Sequence, residues 1–279
     1  MFDFGDNPVI FDNSYFGTGK VSLFKTKSKS ISFKGCHLDS YMDFRVAKTE
    51  SLDLSDTIVR DIVDLRIHQA NVELNVMILS QMRNLGQIYL DWNENECYKL
   101  LKSQNGTSNR DLSNQFRVLK ENFNNLGQYD DEDDAYVQFK RHELRAELKE
   151  KIIKSKVNAF WIYPYSAFKW LIFDNIGKYA TDPIRVLLSS VIIYILFSLT
   201  YYFLPFYANA EIIQSVVHPD HTGHALGEAF YHSAITFLTI GYGDFFPSGH
   251  FKWISAFEGW VGLFLMSYFT VAFVRKILR

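Results

Sequence analysis

Hydrophobic positions along the chain fall into three regimes. From Leu52 onward, apolar or small residues recur every five positions, at Leu52, Thr57, Ile62, Ile67, Val72, Met77 and Met82. A second, less complete column runs through Leu54, Val59, Leu74, Leu79 and Tyr89, and segment 31–40 upstream keeps the same beat. A period of five matches neither a helix nor the simple alternation of a flat strand. Four such units per coil of a right-handed β-solenoid would bring each column into one inward stack. An irregular β-rich domain with chance periodicity is the alternative. After Trp92 the spacing turns helical: 94–101 predicts one helix, and 112–123 predicts a second, ended by Gly127. The acidic run 130–134 opens a third, whose basic residues come late, as the helix dipole favours. The last two helices predict a hairpin similar to one tetratricopeptide-like unit. The acidic run reads as a solvated first turn, with a divalent-cation site as the rival.

The third regime is apolar. Segments 186–207 and 253–274 carry no charge apart from Glu258. Each has 22 residues, about 33 Å of helix, enough for a hydrocarbon core of about 30 Å. Segment 160–173, rich in Trp, Tyr and Phe, is too short and interrupted to span. It predicts a helix lying on the inner leaflet, with a packed interdomain connector as the other reading. Between the spans, 225–238 is a mostly apolar stretch too short to cross.

Composition sharpens this division. The 279 residues hold 29 Lys+Arg and 31 Asp+Glu, a net charge of −2, which excludes a basic nucleic-acid footprint. From position 184 onward there are only five basic and five acidic residues, leaving 24 and 26 for the rest. Lys169, Lys178 and Arg185 precede the first span, and Arg275, Lys276 and Arg279 follow the second. The positive-inside rule then places both termini in the cytoplasm, in a multi-pass protein of the cell membrane. Cys36 and Cys97 lack metal-site spacing and read as reduced thiols, and the acidic N-terminus does not read as a signal peptide. No helix with regularly spaced arginines precedes the first span, so no intrinsic voltage sensor is expected. No catalytic constellation or nucleotide-binding glycine fingerprint is visible, so neither an enzyme nor a cofactor is expected.

After the short apolar stretch comes Thr239-Ile240-Gly241-Tyr242-Gly243-Asp244. Placed between two spans, this motif resembles the pore module of potassium channels over residues 183–276: outer helix, re-entrant pore helix, filter and inner helix. Backbone carbonyls can replace the hydration shell of a potassium ion, and glycine tolerates the alternating backbone this needs. The resemblance implies that K+ is held by the carbonyls of Thr239, Ile240, Gly241 and Tyr242, with the Thr239 hydroxyl as the innermost ring. It implies that Tyr242 packs against aromatic neighbours, and that Asp244, beyond Gly243, hydrogen-bonds behind the filter. It implies selectivity for K+ over Na+, since related filters with Asp in place of Tyr242 are non-selective. One motif supplies a quarter of the ring, so a homotetramer, or assembly with close relatives, is implied.

Two departures from the simplest relatives stand out. Ile235 occupies the position where some channels carry a carboxylate that braces the Asp, so Asp244 needs another partner. Glu258 lies at filter depth in the second span, where an ionisable group is costly. It is expected behind the filter or pore helix, bonded to His232, Thr236 or a pore-helix N–H; a protonated side chain reaching the outer interface is the rival. Gly262 matches the family's hinge glycine, or else serves close helix packing. Leu263, Met266, Thr270 and Val274 follow at helical spacing and either line the cavity or pack on the outer helix. A ring of four Val274 side chains could close the pore by dewetting. His218, His221 and His224 read as a solvated loop, with metal binding or proton sensing as alternatives.

The N-terminal repeats resemble pentapeptide-repeat proteins in degenerate form. The expected organisation is a cytoplasmic β-solenoid over 1–92, a helical region over 93–157, an interfacial helix and linker over 158–182, and an α-helical two-span pore module over 183–279. The expected function is a tetrameric potassium-selective channel, its partners being its own copies, the bilayer, K+ and a candidate cytoplasmic regulator. The rival is a membrane-anchored scaffold with a vestigial pore.

Overall fold

The computed structural model describes residues 2–67, 73–154, 159–203, 205, 212–215, 225–249 and 251–279. The chain divides into two compact units, Met1–Phe168 and Lys169–Arg279.

The first unit begins as a β-solenoid of about three turns. Its first sheet stacks Val9–Ile10, Ser30–Ser32, Lys48–Asp53 and Glu73–Ile78, all parallel. The second stacks Tyr15–Phe16, His37–Leu38, Ile58–Val59 and Arg83–Asn84. The third stacks Lys20–Ser22, Tyr41–Asp43, Ile62–Asp64 and Gln87–Tyr89. A fourth side is held by isolated bridges from Asp3 to Lys27 and from Lys27 to Lys48.

The register corrects the simple five-residue beat. Ile31 pairs with Leu52 and Met42 with Val63, an advance of 21 residues per coil, and Leu52 pairs with Met77 after 25. Leu52, Thr57, Met77 and Met82 face inward as expected, but on the third side the buried column is Met42, Val63 and Ile88. Ile62 and Ile67 are only half-buried. One extra residue per coil is accommodated there, and because side chains alternate, a one-residue slip exchanges the inward position. Val72 lies outside the described residues. Thr57 is tolerated inside because its hydroxyl donates to the Phe33 carbonyl at 2.8 Å.

The 21-residue advance also superposes Asp43 on Asp64, both buried. Like charges on neighbouring strands repel. Arg45 answers with two 2.7 Å bonds to Asp43, and Arg66 with bonds of 3.0 and 2.7 Å to Asp64, which also accepts from Tyr41 at 2.8 Å. Burial alone would raise the Asp64 carboxyl; the bonds from Arg66 and Tyr41 outweigh it and hold the group at about 2.

Helices cover the solenoid's last coil. The first, α1 (Cys97–Lys102), starts later than the sequence suggests, because Glu96 sits in the left-handed region. Next come α2 (Asn109–Leu126) and α3 (Tyr129–Lys154), which pack together as the expected hairpin. Ser108 caps α2 by accepting from the Asp111 amide, and Gly127 closes it at φ +72°. Polar side chains of α2 satisfy the open strand edge: Gln115 accepts from the Leu79 amide, and Asn122 pairs with both the amide and the carbonyl of Ile88. The acidic run is not a solvated turn throughout, for Glu132 and Asp133 are buried, and Asp131 accepts from the Trp92 amide. Among the described residues, no group of His, Cys, Asp and Glu could hold a metal ion. Both cysteines are free and buried. The unit ends in the aromatic helix α4 (Ala159–Lys169), whose Phe160, Trp161, Tyr163, Tyr165 and Phe168 are exposed.

The second unit opens with a π-helical segment, Trp170–Ile176, and a short turn, Lys178–Ala180. Two helices are long and apolar enough to cross a membrane: α5 (Pro183–Phe203) and α7 (Phe251–Ile277). Between them lies α6 (Ala225–Phe237), packed on both. Strand Ile212–Gln214 pairs antiparallel with Phe245–Pro247.

Candidate functional site

The segment leaving α6 carries the Thr-Ile-Gly-Tyr-Gly-Asp motif. The last turn of the helix is drawn out by bonds from the Thr239 amide to the Thr236 carbonyl and from the Ile240 and Gly241 amides to the Ile235 carbonyl. The backbone then alternates. Thr239, Gly241 and Gly243 have φ of +56°, +61° and +77°, whereas Ile240 and Tyr242 do not enter the left-handed region. A chain alternating in the sign of φ can turn successive peptide groups to one side, concentrating their dipoles. Glycine adopts positive φ at little cost, but for a β-branched residue such as Thr239 it is an outlier. The two glycines were legible in the sequence; the left-handed threonine was not. Its hydroxyl donates to the Leu238 carbonyl at 2.7 Å.

All five residues from Thr239 to Gly243 are exposed, and Tyr242 is 70% exposed. Among the described residues, no aromatic ring of the same chain packs on Tyr242.

The Asp244 carboxylate, deprived of a partner at Ile235, accepts from the Tyr231 hydroxyl at 2.7 Å. Tyr231 lies one helical turn before Ile235, and its ring packs edge-on to Phe245. The signal available in the sequence was a tyrosine four positions earlier on the same helix face. The Asp244 backbone carbonyl accepts from the Ser215 amide at 2.7 Å, which joins the paired strands to the outer end of the motif.

Glu258 is fully buried, enclosed by all three helices. Its carboxylate accepts from Tyr201 of α5 at 2.7 Å and from Ser233 of α6. Glu258 is thus buried against α5 and α6, and its partners differ from the expected His232, Thr236 or backbone N–H. His232 instead lies 3.3 Å from the Ser255 hydroxyl and packs against the edge of the Tyr201 ring. Thr236 contributes only its carbonyl, to the Thr239 amide. A serine on the pore-helix face and a tyrosine 57 residues upstream give no local signal in the sequence.

Gly262 meets the end of α6 so closely that a Cβ would overlap the Phe237 carbonyl. Close approach accounts for this glycine, and α7 runs unbroken through it. The buried face of α7 comprises Phe251, Glu258, Gly262, Leu265 and Ala272. Leu263, Met266, Thr270 and Val274 lie outside this buried face and are exposed. His218, His221 and His224 lie outside the described residues.

With this geometry established, comparison with known families finds that residues 189–279 match the family described as ion channel. The match runs from within α5 through the motif to the end of α7. No curated protein and no solved structure matches the chain. An ion-channel domain with two apolar helices therefore follows an N-terminal solenoid and helical region.

Proposed function

We propose that the chain forms a homotetrameric, potassium-selective channel that conducts K+ passively across the cell membrane, with both termini in the cytoplasm. The observation that carries this reading is the alternation of φ at Thr239, Gly241 and Gly243, in a motif between a helix too short to cross and a span. Four such segments around an axis would supply rings of carbonyl oxygens from Thr239, Ile240, Gly241 and Tyr242, each ring replacing lost hydration. Tyr231 and Asp244 would hold the outer end of the filter and Glu258 its back. Leu263, Met266, Thr270 and Val274, exposed on the subunit, would line the cavity and gate. Helix α4, apolar over most of its surface and without an acidic residue, would lie on the inner leaflet. The N-terminal unit would regulate the pore.

The test is ion flux in liposomes reconstituted with the full-length protein. Wild type should pass K+ and largely exclude Na+. Gly241→Ala, which places a Cβ at φ +61°, should abolish flux while the tetramer persists on native gels. Equal permeability to both ions sinks the selectivity. An intact tetramer without flux favours a membrane-anchored solenoid scaffold.

A further inference from the structure

The residues joining α4 to α5 adopt unusual backbone. After the π-helical segment Trp170–Ile176, three successive residues with side chains, Lys178, Tyr179 and Ala180, have φ of +44°, +58° and +63°. Left-handed conformation is costly for any residue with a Cβ, and such runs persist only where surrounding contacts enforce them. Contacts from α7 and α5 enforce this one. The Tyr268 hydroxyl of α7 accepts from the Ala180 amide at 3.0 Å and donates to the Phe173 carbonyl at 3.3 Å. Arg275, two turns further along α7, reaches the Tyr179 carbonyl at 3.5 Å. Thr181 closes the turn on the Lys178 carbonyl at 2.7 Å. A Cβ on Gly177 would press into Val186 of α5 and the Tyr268 ring, so the turn is seated against both helices. On the α5 side, Arg185 donates to the Asn175 carbonyl at 2.9 Å and Ser189 to the Ile176 carbonyl at 3.1 Å.

We propose that Tyr268 clasps this left-handed turn to the inner helix as a latch, through which the chain segment leading from the N-terminal unit sets the position of the pore's inner end. The proposal rests on the channel reading given above. Tyr268 and Arg275 bracket Val274, and both lie beyond Gly262, where α7 closely approaches the end of α6. Any displacement of the lower half of α7 must therefore carry the latch or break it. The turn stores the cost of three left-handed residues, which is released when the Tyr268 bonds are lost. Displacement of 169–182 by the preceding domain and displacement of the inner helix are thus coupled through Tyr268, with Arg275 beside it. Tyr268 is a positioning residue: it touches no filter atom.

The test compares two variants of opposite sign in the full-length protein in liposomes. Tyr268→Phe keeps the ring and removes both hydrogen bonds. Ala180→Gly keeps the bonds and relieves the left-handed strain at φ +63°. Hydrogen exchange should speed at the Ala180 amide by at least tenfold in Tyr268→Phe. Single-channel open probability should shift at least threefold in one direction for Tyr268→Phe and in the other for Ala180→Gly, with unitary conductance unchanged. Unchanged exchange at Ala180 means the clasp does not exist. Faster exchange with unchanged open probability, or both variants shifting the same way, overturns the coupling. If Tyr268→Phe does not assemble, Ala180→Gly alone decides, an unaltered open probability overturning the proposal. A wild type that never conducts refutes the channel reading and with it the gating role, while the exchange measurement still reports whether the clasp is present.

Discussion

Glu258 shows how one side chain can be legible in place and illegible in contacts. Its charge in an apolar segment singled it out in the sequence, and it is fully buried. What it touches depends on how α5 and α6 approach α7, which no local pattern reports. With Tyr201 and Ser233 both donating to it, Glu258→Ala removes the acceptor of the buried Tyr201 hydroxyl and leaves Ser233 with the longer bond to the Tyr194 carbonyl at 3.4 Å. Leaving buried donors unpaired costs about 1–3 kcal/mol each. Thermal unfolding of the full-length protein should therefore fall clearly for Glu258→Ala. It should fall little for Glu258→Gln, since one hydroxyl can rotate to accept from the amide. Matching unfolding temperatures for Glu258→Ala and wild type would exclude a bracing role.

At the scale of elements, two glycines on α7 separate packing from flexibility. A Cβ at Gly262 overlaps the Phe237 carbonyl, whereas one at Gly259 would rest 3.7 Å from the Thr236 carbonyl, an ordinary contact. Gly262→Ala should destabilise the pore unit by about 1–3 kcal/mol, because α6 and α7 must separate. Gly259→Ala should be neutral or stabilising by up to about 1 kcal/mol, the gain in helix propensity. Denaturation of both variants side by side decides the matter: two equal effects would mean that packing does not distinguish them.

The helical hairpin carries its own pH dependence. His142 on α3 is 3% exposed, stacks on Phe116 and meets Asn109 through Nδ1 at 2.9 Å, while its Nε2 has no hydrogen-bond partner among the described residues. Burial, reinforced by Arg145 and Lys102, lowers its pKa to about 4 from an ordinary 6.5. The unfolded chain therefore binds a proton below pH 6.5 that the folded chain refuses, and stability falls as pH drops from about 6.5 toward 4. The loss from this one group approaches about 3 kcal/mol at its acid limit. Urea titrations at pH 7 and 5 should show the loss in wild type and a smaller one in His142→Gln. An identical pH dependence for both proteins would rule out the histidine as its source.

For the whole molecule, Thr239–Gly243 and the side chains of Leu263, Met266, Thr270 and Val274 are exposed on the single chain, and in the proposed tetramer neighbouring subunits would complete these surfaces. Cross-linking of the reconstituted full-length protein should stop at four subunits; a product ending at two or one would remove the fourfold ring on which selectivity depends. The exposed aromatic surface of α4 and the outward apolar positions of α5 likewise fit a bilayer rather than water.

Sequence alone was enough for the features that local chemistry dictates. Length and hydropathy marked both spans and the short helix between them. The glycine spacing marked the segment whose backbone alternates in φ, and the repeat marked a solenoid, because burial on a periodic backbone leaves a periodic record. The 21-residue spacing of Asp43-Phe44-Arg45 and Asp64-Leu65-Arg66 was equally present in the sequence, but the five-residue beat masked it. Tertiary structure decided the rest. The slip that moved Val63 inward in place of Ile62, the Tyr231 partner of Asp244, the Tyr201 and Ser233 partners of Glu258 and the clasp of Tyr268 on Ala180 all join positions on different elements or turns. Such contacts depend on how far helices approach and rotate against one another, a quantity set by the packing of every side chain between them and written at no single place in the chain.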